Sequence, residues 1–589
     1  MSGLAMLYSL TAVLFRISAY VFLRIIPSPM ALAMLSALLL LNCSTIPFLS
    51  NTAIPPPKSI YRAIALAHPA KLRANAVLNA VIFCMVLEFT AVPFLDTGRH
   101  LAFSRVGAVT SHSTKITIRN PTDVLPQLLY REVRANTELP WKNGPVLAPF
   151  TNETDWVNTV KLSGLWPGTT YEYALADANR TVVSGPFNFK TFPDARMTTG
   201  SHFRFIASSC MTPNFPYLPF GGRRLRGFDL LARYIAPDAS QASPLAEFLL
   251  LLGDFVYSDV PVSVGDRKDA FLRLYRRNYL SKSFRKVYER LLISMAPSRL
   301  TTPFQIQNNF AGAAKDPAPF LNATNAYKIY NGDANHDGGD DVHYYNFRYA
   351  DSAFFVMDTR RYRNPTTETM LGEAQLAALH AWLAHANNTA SFKFVVSSVP
   401  FTSLWGFDAQ VDSWAAFPAE KAALLDAFHS VPNVIIISGD RHEFASIEFT
   451  SPHLHTVREV STSPLSAFNI NIPFFRTLRM RSNETVSRLQ AVQTENGTVS
   501  EIVEVPKERV VKYLARGNSK WTSFEVDSRD LRRPTLRLET VIEGKVRYRE
   551  EIVGSPVKLA LSSDALGAYV VSGLKDVFNK IGIQPSRWF

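Results

Sequence analysis

Three short motifs carry residue types that bind metal ions. Ala207-Ser208-Ser209-Cys210, Gly253-Asp254-Phe255-Val256-Tyr257 and Ser438-Gly439-Asp440-Arg441-His442-Glu443 each follow an apolar run of the kind that forms a buried strand. A thiolate, carboxylates, a phenolate and an imidazole from separate strands can converge only where a sheet gathers them at one edge. Hard cations take the oxygen donors, while a softer or redox-active ion accepts Cys and His. Singly, each motif has an ordinary reading: a Gly-Asp pair after a strand is a turn, a lone buried Cys is core, and Asp-X-His is a surface loop. Together, in this order and each at a strand terminus, they exceed those readings and point to a metal site.

The elements that must position these residues are legible around them. Continuous apolar runs at Phe203 to Ala207, Phe248 to Leu252, Ala353 to Met357, Phe392 to Val396 and Asn433 to Ile437 predict buried strands. They alternate with amphipathic helices expected at Phe228 to Ile235, Asp269 to Asn278, Gly372 to Ala386 and Pro418 to Phe428. That pattern is an α/β layered domain, in which ligands sit beyond the carboxyl ends of the strands. Ahead of it, Phe103 to Val109, Thr114 to Arg119, Leu128 to Val133, Val157 to Leu162, Thr170 to Ala176 and Ser184 to Phe192 are short strands separated by turn residues, as in an all-β sandwich. The run Leu162-Ser-Gly-Leu165-Trp166-Pro167-Gly168-Thr-Thr-Tyr171-Glu-Tyr173 resembles the tyrosine corner of a fibronectin type III-like module, a spacer to which no chemistry is assigned.

The first hundred residues differ. Leu4 to Ile26, Ala31 to Phe48 and Ala76 to Phe94 are apolar, each close to the roughly 20 residues needed to cross ~30 Å of hydrocarbon. The first lacks a basic leader and a small-residue cleavage site, so a retained anchor is expected. Lys58, Arg62, Lys71 and Arg73, without one acid among them, lie between the second and third stretches. The positive-inside rule places that linker in the cytoplasm and the remainder outside or in a lumen. Glycosylation triplets beginning at Asn152, Asn179, Asn322, Asn387, Asn483 and Asn496 agree with that side.

Composition narrows the function classes. Hydrophobic residues make up 47% and charged residues 19% of 589 positions, which excludes a disordered, collagenous or coiled-coil chain. Three cysteines, Cys43, Cys84 and Cys210, exclude a disulfide framework. The net charge is +13, yet the densest clusters, Arg223-Arg224-Leu225-Arg226 and Arg360-Arg361-Tyr362-Arg363, are short and no basic-aromatic stripe occurs, so nucleic acid is not an expected partner. No phosphate-cradling Gly-rich loop, Ser nucleophile elbow or zinc-finger spacing is present.

Five motifs then make a set: Phe205-Ile-Ala-Ser-Ser-Cys210, Leu252-Gly-Asp-Phe-Val-Tyr257, Phe355-Val-Met-Asp-Thr-Arg-Arg-Tyr-Arg363, Met370-Leu-Gly-Glu-Ala-Gln375 and Ile437-Ser-Gly-Asp-Arg-His442. Val460-Ser-Thr-Ser-Pro-Leu465 follows them. With these the chain resembles the alkaline phosphatase D-like (PhoD-like) branch of the metallophosphoesterases, in a membrane-anchored form, over about residues 100 to 550. The resemblance implies a metallophosphoesterase-like layered α/β sandwich preceded by the fibronectin III-like β-sandwich and N-terminal transmembrane helices. The expected boundaries are 1–97 for the anchor, 98–195 for the β-sandwich, 200–550 for the catalytic domain and 551–589 for a helical tail. It also implies a phosphomonoesterase or phosphodiesterase acting on a phosphate-ester substrate outside the cytosol, with iron and calcium as metals. Carried over by motif, Cys210, Asp254, Tyr257, Asp440, His442, Asn308 and Asn309 are metal ligands, with Asp254 bridging ions and Asp254 and His442 central to catalysis by metal-activated water. Arg360 and Arg361 would pair with phosphate oxygens, or else fix the surrounding loop.

One departure stands out. Ahead of Asn308-Asn309-Phe310-Ala311-Gly312 the family carries an Asp-Asp-His-Glu motif at a strand end, but from Arg290 to Gly312 this chain has no Asp, Glu or His. Three readings follow: the translated segment departs from the native product; the protein is a degenerate member, a receptor or scaffold without turnover; or the loop Asp333-Ala-Asn-His336-Asp337-Gly-Gly-Asp340-Asp341-Val-His343 supplies the donors. Trp405-Gly-Phe-Asp408 and Asp412-Ser-Trp414 offer aromatics for an ester or for the core. Asp564 to Ile581 reads as an amphipathic helix.

Overall fold

The structure is a computed structural model that describes residues 3–49, 67–122, 124–135, 137–196, 200–236, 243–296, 318–339, 342–452, 454–469, 476–494 and 497–557. Three helices, Gly3–Arg24, Pro29–Leu49 and Leu72–Leu95, coincide with the three apolar stretches, and each is long and apolar enough to cross a membrane. Their mutual packing is partly polar: the Arg16 guanidinium donates to Asn79 Oδ1 at 2.8 Å and Asn75 Oδ1 at 2.9 Å. Such bonds satisfy groups that hydrocarbon could not.

The β-sandwich pairs β1 (Phe103–Val109), β2 (Ser113–Arg119) and β6 (Val157–Ser163) in one sheet. Its other sheet is built on β3 (Gln127–Arg134), β7 (Thr170–Ala176) and β8 (Val182–Lys190), with the two-residue strands β4 (Thr137–Glu138) and β5 (Lys142–Asn143) on β3. Val106, Ile116, Ile118, Leu128, Leu162 and Tyr173 fill the space between them. Tyr171 Oη accepts the Trp166 N–H at 2.9 Å, the backward hydrogen bond that defines a tyrosine corner.

Two larger sheets follow. The first runs β11-β10-β9-β21-β22-β23, from β9 (His202–Ser208), β10 (Ala246–Leu251), β11 (Leu292–Met295), β21 (Lys520–Asp527), β22 (Thr535–Ile542) and β23 (Lys545–Val553). The second runs β12-β13-β14-β15-β17-β16-β20, from β12 (Tyr345–Tyr349), β13 (Ser352–Val356), β14 (Phe392–Ser397), β15 (Val434–Ser438), β16 (Phe444–Phe449), β17 (Val457–Thr462) and β20 (Glu508–Leu514). A hairpin of β18 (Thr485–Thr494) and β19 (Gly497–Pro506) stands apart. β9, β10 and β11 are parallel, as are β13, β14, β15 and β17.

An aromatic layer joins the sheets face to face. Phe205 on β9 stacks on Phe248 and Phe524 at 5.2 and 4.8 Å and meets Phe394 of the other sheet edge-on at 5.1 Å. Helices cover both outer faces. Arg226–Tyr234, Lys268–Tyr279 and Lys282–Tyr288 pack Phe228, Leu231, Phe271 and Phe284 against Ile206, Leu249 and Leu251. Gly372–Asn387 and Pro418–His429 pack Leu379, Leu383, Leu424 and Phe428 against Phe355, Val395 and Ile436. Both faces of the central strands are therefore apolar, which is why they read as continuous hydrophobic runs. The result is a helix-sheet-sheet-helix sandwich with all parallel carboxyl ends of each sheet at one edge.

The acid-rich loop after the helix Ala318–Tyr327 is an interdomain clamp. Asp337 pairs with Lys115 at 2.6 Å and Lys161 at 2.9 Å on the β-sandwich, and these cations hold its carboxyl at about 2, well below the usual range, against the opposing effect of burial. The Ala108 N–H donates to Ala334 O at 2.6 Å, so close that a Cβ at Gly107 would lie 2.4 Å from that oxygen. His336 stacks on Phe347 with centroids 4.5 Å apart. Ala334 and Asp337 of this loop thus join the two domains, while Asp340 and Asp341 lie outside the described residues. At the C-terminus β23 extends through Val553, and the helix expected at Asp564 to Ile581 lies outside the described residues.

Candidate metal centre

The expected ligands arrive from both sheets. β9 ends in Ser208 and turns at Cys210, β10 ends in Leu251 and delivers Asp254 and Tyr257, and β15 ends in Ser438 and delivers Asp440 and His442. Cys210, Asp254 and His442 each place a donor atom within 4.8 Å of the other two. Cys210 Sγ stands 3.6 Å from Asp254 Oδ2. The Tyr257 hydroxyl donates to Asp254 Oδ2 at 3.0 Å and lies 3.0 Å from His442 Nε2. All four side chains are buried, none more than 8% exposed. Asp440 lies beside them with its side chain 6% exposed, its N–H directed at Ser209 Oγ 3.3 Å away and its carboxylate 3.8 Å from the Arg441 guanidinium.

The backbone there is held in an unusual state. Cys210, Asp254, Asp440 and His442 have φ of 65°, 46°, 79° and 58°. Left-handed conformations of non-glycine residues cost on the order of 1–3 kcal/mol each and cluster at functional sites. Surrounding bonds enforce them. The His442 N–H donates to Ser463 Oγ at 2.7 Å, and its carbonyl accepts from Lys520 Nζ at 2.8 Å and from Asn469 Nδ2. Ser209 Oγ lies 3.2 Å from Cys210 Sγ. A Cβ at Gly439 would fall 2.6 Å from that same Ser209 Oγ, so the two strand ends touch through a glycine. Phe468 closes the site, its ring 4.3 Å from the His442 ring.

Electrostatics define what this cluster accepts. Burial pushes the Cys210 thiol well up, and the neighbouring charge of Asp254 adds to it. The Tyr257 phenol is raised for the same two reasons, in that order. The Cys210 thiol and the Tyr257 phenol therefore keep their protons unless a cation compensates them, and a bound cation deprotonates such ligands. The donor set of sulfur, oxygen and imidazole nitrogen fits a transition-metal ion, with the carboxylate oxygens open to a harder one. β11 runs parallel to β10, pairing Met295 with Leu251, so it ends at the same edge. Residues 297–317, with Asn308 and Asn309, lie outside the described residues.

Other residues singled out by sequence sit elsewhere. Arg360 donates to Asp412 Oδ1 at 2.6 Å and Arg363 to the same oxygen at 2.5 Å, both guanidinium groups being buried. The Arg361 N–H donates to Asp358 Oδ1 at 3.0 Å. Gln375 clamps the backbone of Asp358, accepting its N–H at 2.8 Å and donating to its carbonyl at 2.9 Å, which ties two of the quoted motifs into one turn. Trp405 and Trp414 are fully buried and belong to the core. Sequence reasoning missed Ser209, Ser463, Phe468, Asn469 and Lys520; only the run Val460 to Leu465 had signalled part of this support.

Comparison with known proteins agrees with this architecture. The family model of the PhoD-like phosphatases matches residues 305–505. No curated protein sequence matches the chain. Among solved structures the chain is similar to one described as the structure of PhoD, at TM-score 0.52 and 15% identity over 76% of this chain and 88% of that one. It is also similar to the purple acid phosphatase PPD1 from seeds of yellow lupin (Lupinus luteus), at TM-score 0.50 and 12% identity over 76% of this chain and 74% of the other. Cys210 and Asp254 precede the matched segment and rest on the geometry, whereas Asp440 and His442 fall inside it. Residues 305–505 therefore match the PhoD-like phosphatases, and the fold is shared with PhoD and a purple acid phosphatase.

Proposed function

We propose that this protein is a membrane-anchored, metal-dependent hydrolase of phosphate mono- or diesters whose catalytic domain lies outside the cytosol. The observation that carries the reading is the convergence of Cys210, Asp254, Tyr257 and His442 at the carboxyl ends of strands from two sheets, with left-handed backbone at three of the four. Iron and calcium, the metals expected from the family, suit the Cys/His and carboxylate donors respectively. When bound, such ions lower the pKa of water and neutralise phosphoryl oxygens.

The chain's own residues do the rest. Asp254 Oδ2 faces both the Cys210 sulfur and the Tyr257 hydroxyl, and this carboxylate would be the one to hold the metal and, if two ions bind, to be shared between them. Tyr257 holds Asp254 and His442 in one arrangement through its hydroxyl. Lys520, Asn469 and Ser463 fix the His442 backbone, so the imidazole needs no reorganisation on binding. Phe468 excludes water from one side of that ring. Arg361 lies beside the turn that Gln375 braces, and Arg360 is bound to Asp412.

The helices support the reading of an anchor and of the compartment. Leu23 O accepts the Tyr217 N–H at 3.0 Å, so the C-terminal end of Gly3–Arg24 touches the catalytic domain. Ser9 near its other end bonds Ala67 O at 3.2 Å, at the end of the bundle where Lys71 and Arg73 begin the third helix. The acceptor residues Asn152, Asn179 and Asn483 are exposed on the domain side.

The test is hydrolysis of a chromogenic monoester and diester by purified full-length protein, with a chelator control and the Asp254→Asn variant. Turnover abolished by both chelation and the substitution is expected. Retained activity in Asp254→Asn refutes the assignment. If the wild type folds but turns over neither ester, the chain is a degenerate receptor or scaffold, and recovery of the native peptide Leu300 to Lys315 would establish that its ligand-poor segment is genuine.

A further inference from the structure

The loop that carries Cys210 does not end at the metal centre; it continues onto the apolar helices. Between Cys210 and the helix Arg226–Tyr234, the Tyr217 N–H donates to Leu23 O at 3.0 Å and the Arg24 guanidinium donates to Tyr217 O at 2.9 Å. Glu88 of Leu72–Leu95 and Asp96, which follows that helix, hold the same loop from the other side. Glu88 accepts from the Tyr217 hydroxyl at 2.6 Å and from the Phe220 N–H at 3.0 Å. Asp96 accepts from Arg223 Nε at 2.6 Å. Aromatic contacts extend the connection inward. Phe89 of the helix meets Phe215 at 6.3 Å, Phe215 meets Phe468 at 6.3 Å, and Phe468 lies against His442 at 4.3 Å. One unbroken apolar path therefore runs from a candidate membrane span to the candidate metal ligand.

The outer side of this loop is apolar where water would be its only neighbour. Phe220 is 92% exposed and Leu218 43% exposed, although both are anchored by backbone bonds beside Glu88. Leu95 at the end of the helix is 78% exposed, and Arg24 and Arg99 are exposed where the helices leave the domain. Apolar tips bordered by cations and continuous with spanning helices match the chemistry of a bilayer surface with anionic headgroups. Below them a narrow cavity lies between Phe89, Val92 and Pro93 of the helix and Met211, Tyr257 and Arg277 of the catalytic domain. At about 30 Å³ it has room for roughly one water, and it marks the seam where the helix meets the domain, with Arg277 3.6 Å from Asp96.

We propose that the substrate is the phosphate ester of a membrane lipid in the same leaflet as the loop, drawn to the metal centre from the bilayer surface in which Leu218 and Phe220 are seated. This rests on the phosphohydrolase reading above. Water adds to phosphorus, the P–O bond to the lipid-side or headgroup alcohol breaks, and that alcohol leaves with a proton, so no further reactant is required. Seating Leu218 and Phe220 in the bilayer confines the enzyme's mouth to the depth at which such esters lie.

The test uses the full chain reconstituted in phosphatidylcholine vesicles containing either phosphatidic acid or phosphatidylglycerol, with a soluble chromogenic ester assayed on the same preparation. A Leu218→Asp/Phe220→Asp variant should lose about tenfold or more of its lipid-ester turnover relative to its soluble-ester turnover, as expected when two large apolar side chains leave the interface. Separately, a fluorophore on Phe220→Cys, with Cys43 and Cys84 changed to Ala, should be quenched by spin-labelled lipid. Hydrolysis of the soluble ester without either lipid ester overturns the proposal and leaves the phosphohydrolase reading intact. An unquenched label, or a variant whose two rates fall together, also overturns it. Loss of every hydrolysis in the wild type refutes both readings.

Discussion

Lys393 offers the sharpest energetic prediction. It lies in the middle of the second sheet on β14 with no exposed surface, and among the described residues its Nζ has no hydrogen-bond partner. Burial, with Arg348 adding to it, lowers the ammonium from 10.5 to about 7. Its folded value is thus depressed, so stability is greatest above the unfolded value of 10.5 and is lost as the pH falls toward 7. At about 1.4 kcal/mol per pH unit, the full loss is about 5 kcal/mol. Lys393→Met keeps the stem length and removes the charge. The variant should gain about 5 kcal/mol over wild type at pH 6 and only about 1 kcal/mol at pH 10. Unfolding entropy of about 2 cal/mol/K per residue makes that a rise of a few degrees in Tm at pH 6. Differential scanning calorimetry of detergent-solubilised full-length protein at both pH values reads it. A gain equal at the two pH values would assign the effect to packing, and no gain at pH 6 would refute the argument that an uncompensated amine is buried there.

Two further substitutions test other joints of the fold. Tyr171→Phe leaves the buried Trp166 N–H without its acceptor and should lower β-sandwich stability by about 1–3 kcal/mol in urea unfolding while leaving ester hydrolysis unchanged. Glu459 is fully buried and accepts from Phe401 N–H, Thr402 N–H and Ser438 Oγ, and burial raises its carboxyl from 4.5 to about 7. A raised carboxyl favours the folded state below pH 4.5, and that contribution is lost as the pH rises through about 7. Wild type should therefore lose about 3 kcal/mol between pH 4 and pH 8 that Glu459→Gln does not lose; parallel pH profiles would contradict this.

The layered domain was legible because its central strands are apolar on both faces. Phe392 to Val396 and Asn433 to Ile437 predict β14 and β15 within a residue, and Gly372 to Ala386 predicts its helix equally well. The antiparallel strands β16 and β20 were not read, because Phe444–Phe449 carries Ser446 and Glu448 and Glu508–Leu514 alternates with charge. Cys210, Asp254, Tyr257 and His442 were recognisable as strand-end ligands, since sheet geometry alone brings such ends together. Their supports were not. Ser209, Ser463 and Lys520 are ordinary residues whose role exists only in the folded contacts. Charge pairing over long separations was equally silent: nothing in Asp333 to His343 announced that Asp337 would be taken by Lys115 and Lys161, nor in Arg360 that Asp412 would claim it.

The central claim is that Cys210, Asp254, Tyr257 and His442 form a metal centre. Elemental analysis of the purified full-length protein, beside Asp254→Asn and Cys210→Ser with matching circular dichroism, tests it most directly. The account predicts at least one tightly held ion per wild-type chain and its loss from both folded variants. A wild type that binds no metal after loading with iron and calcium, or variants that retain the wild-type content, would contradict it.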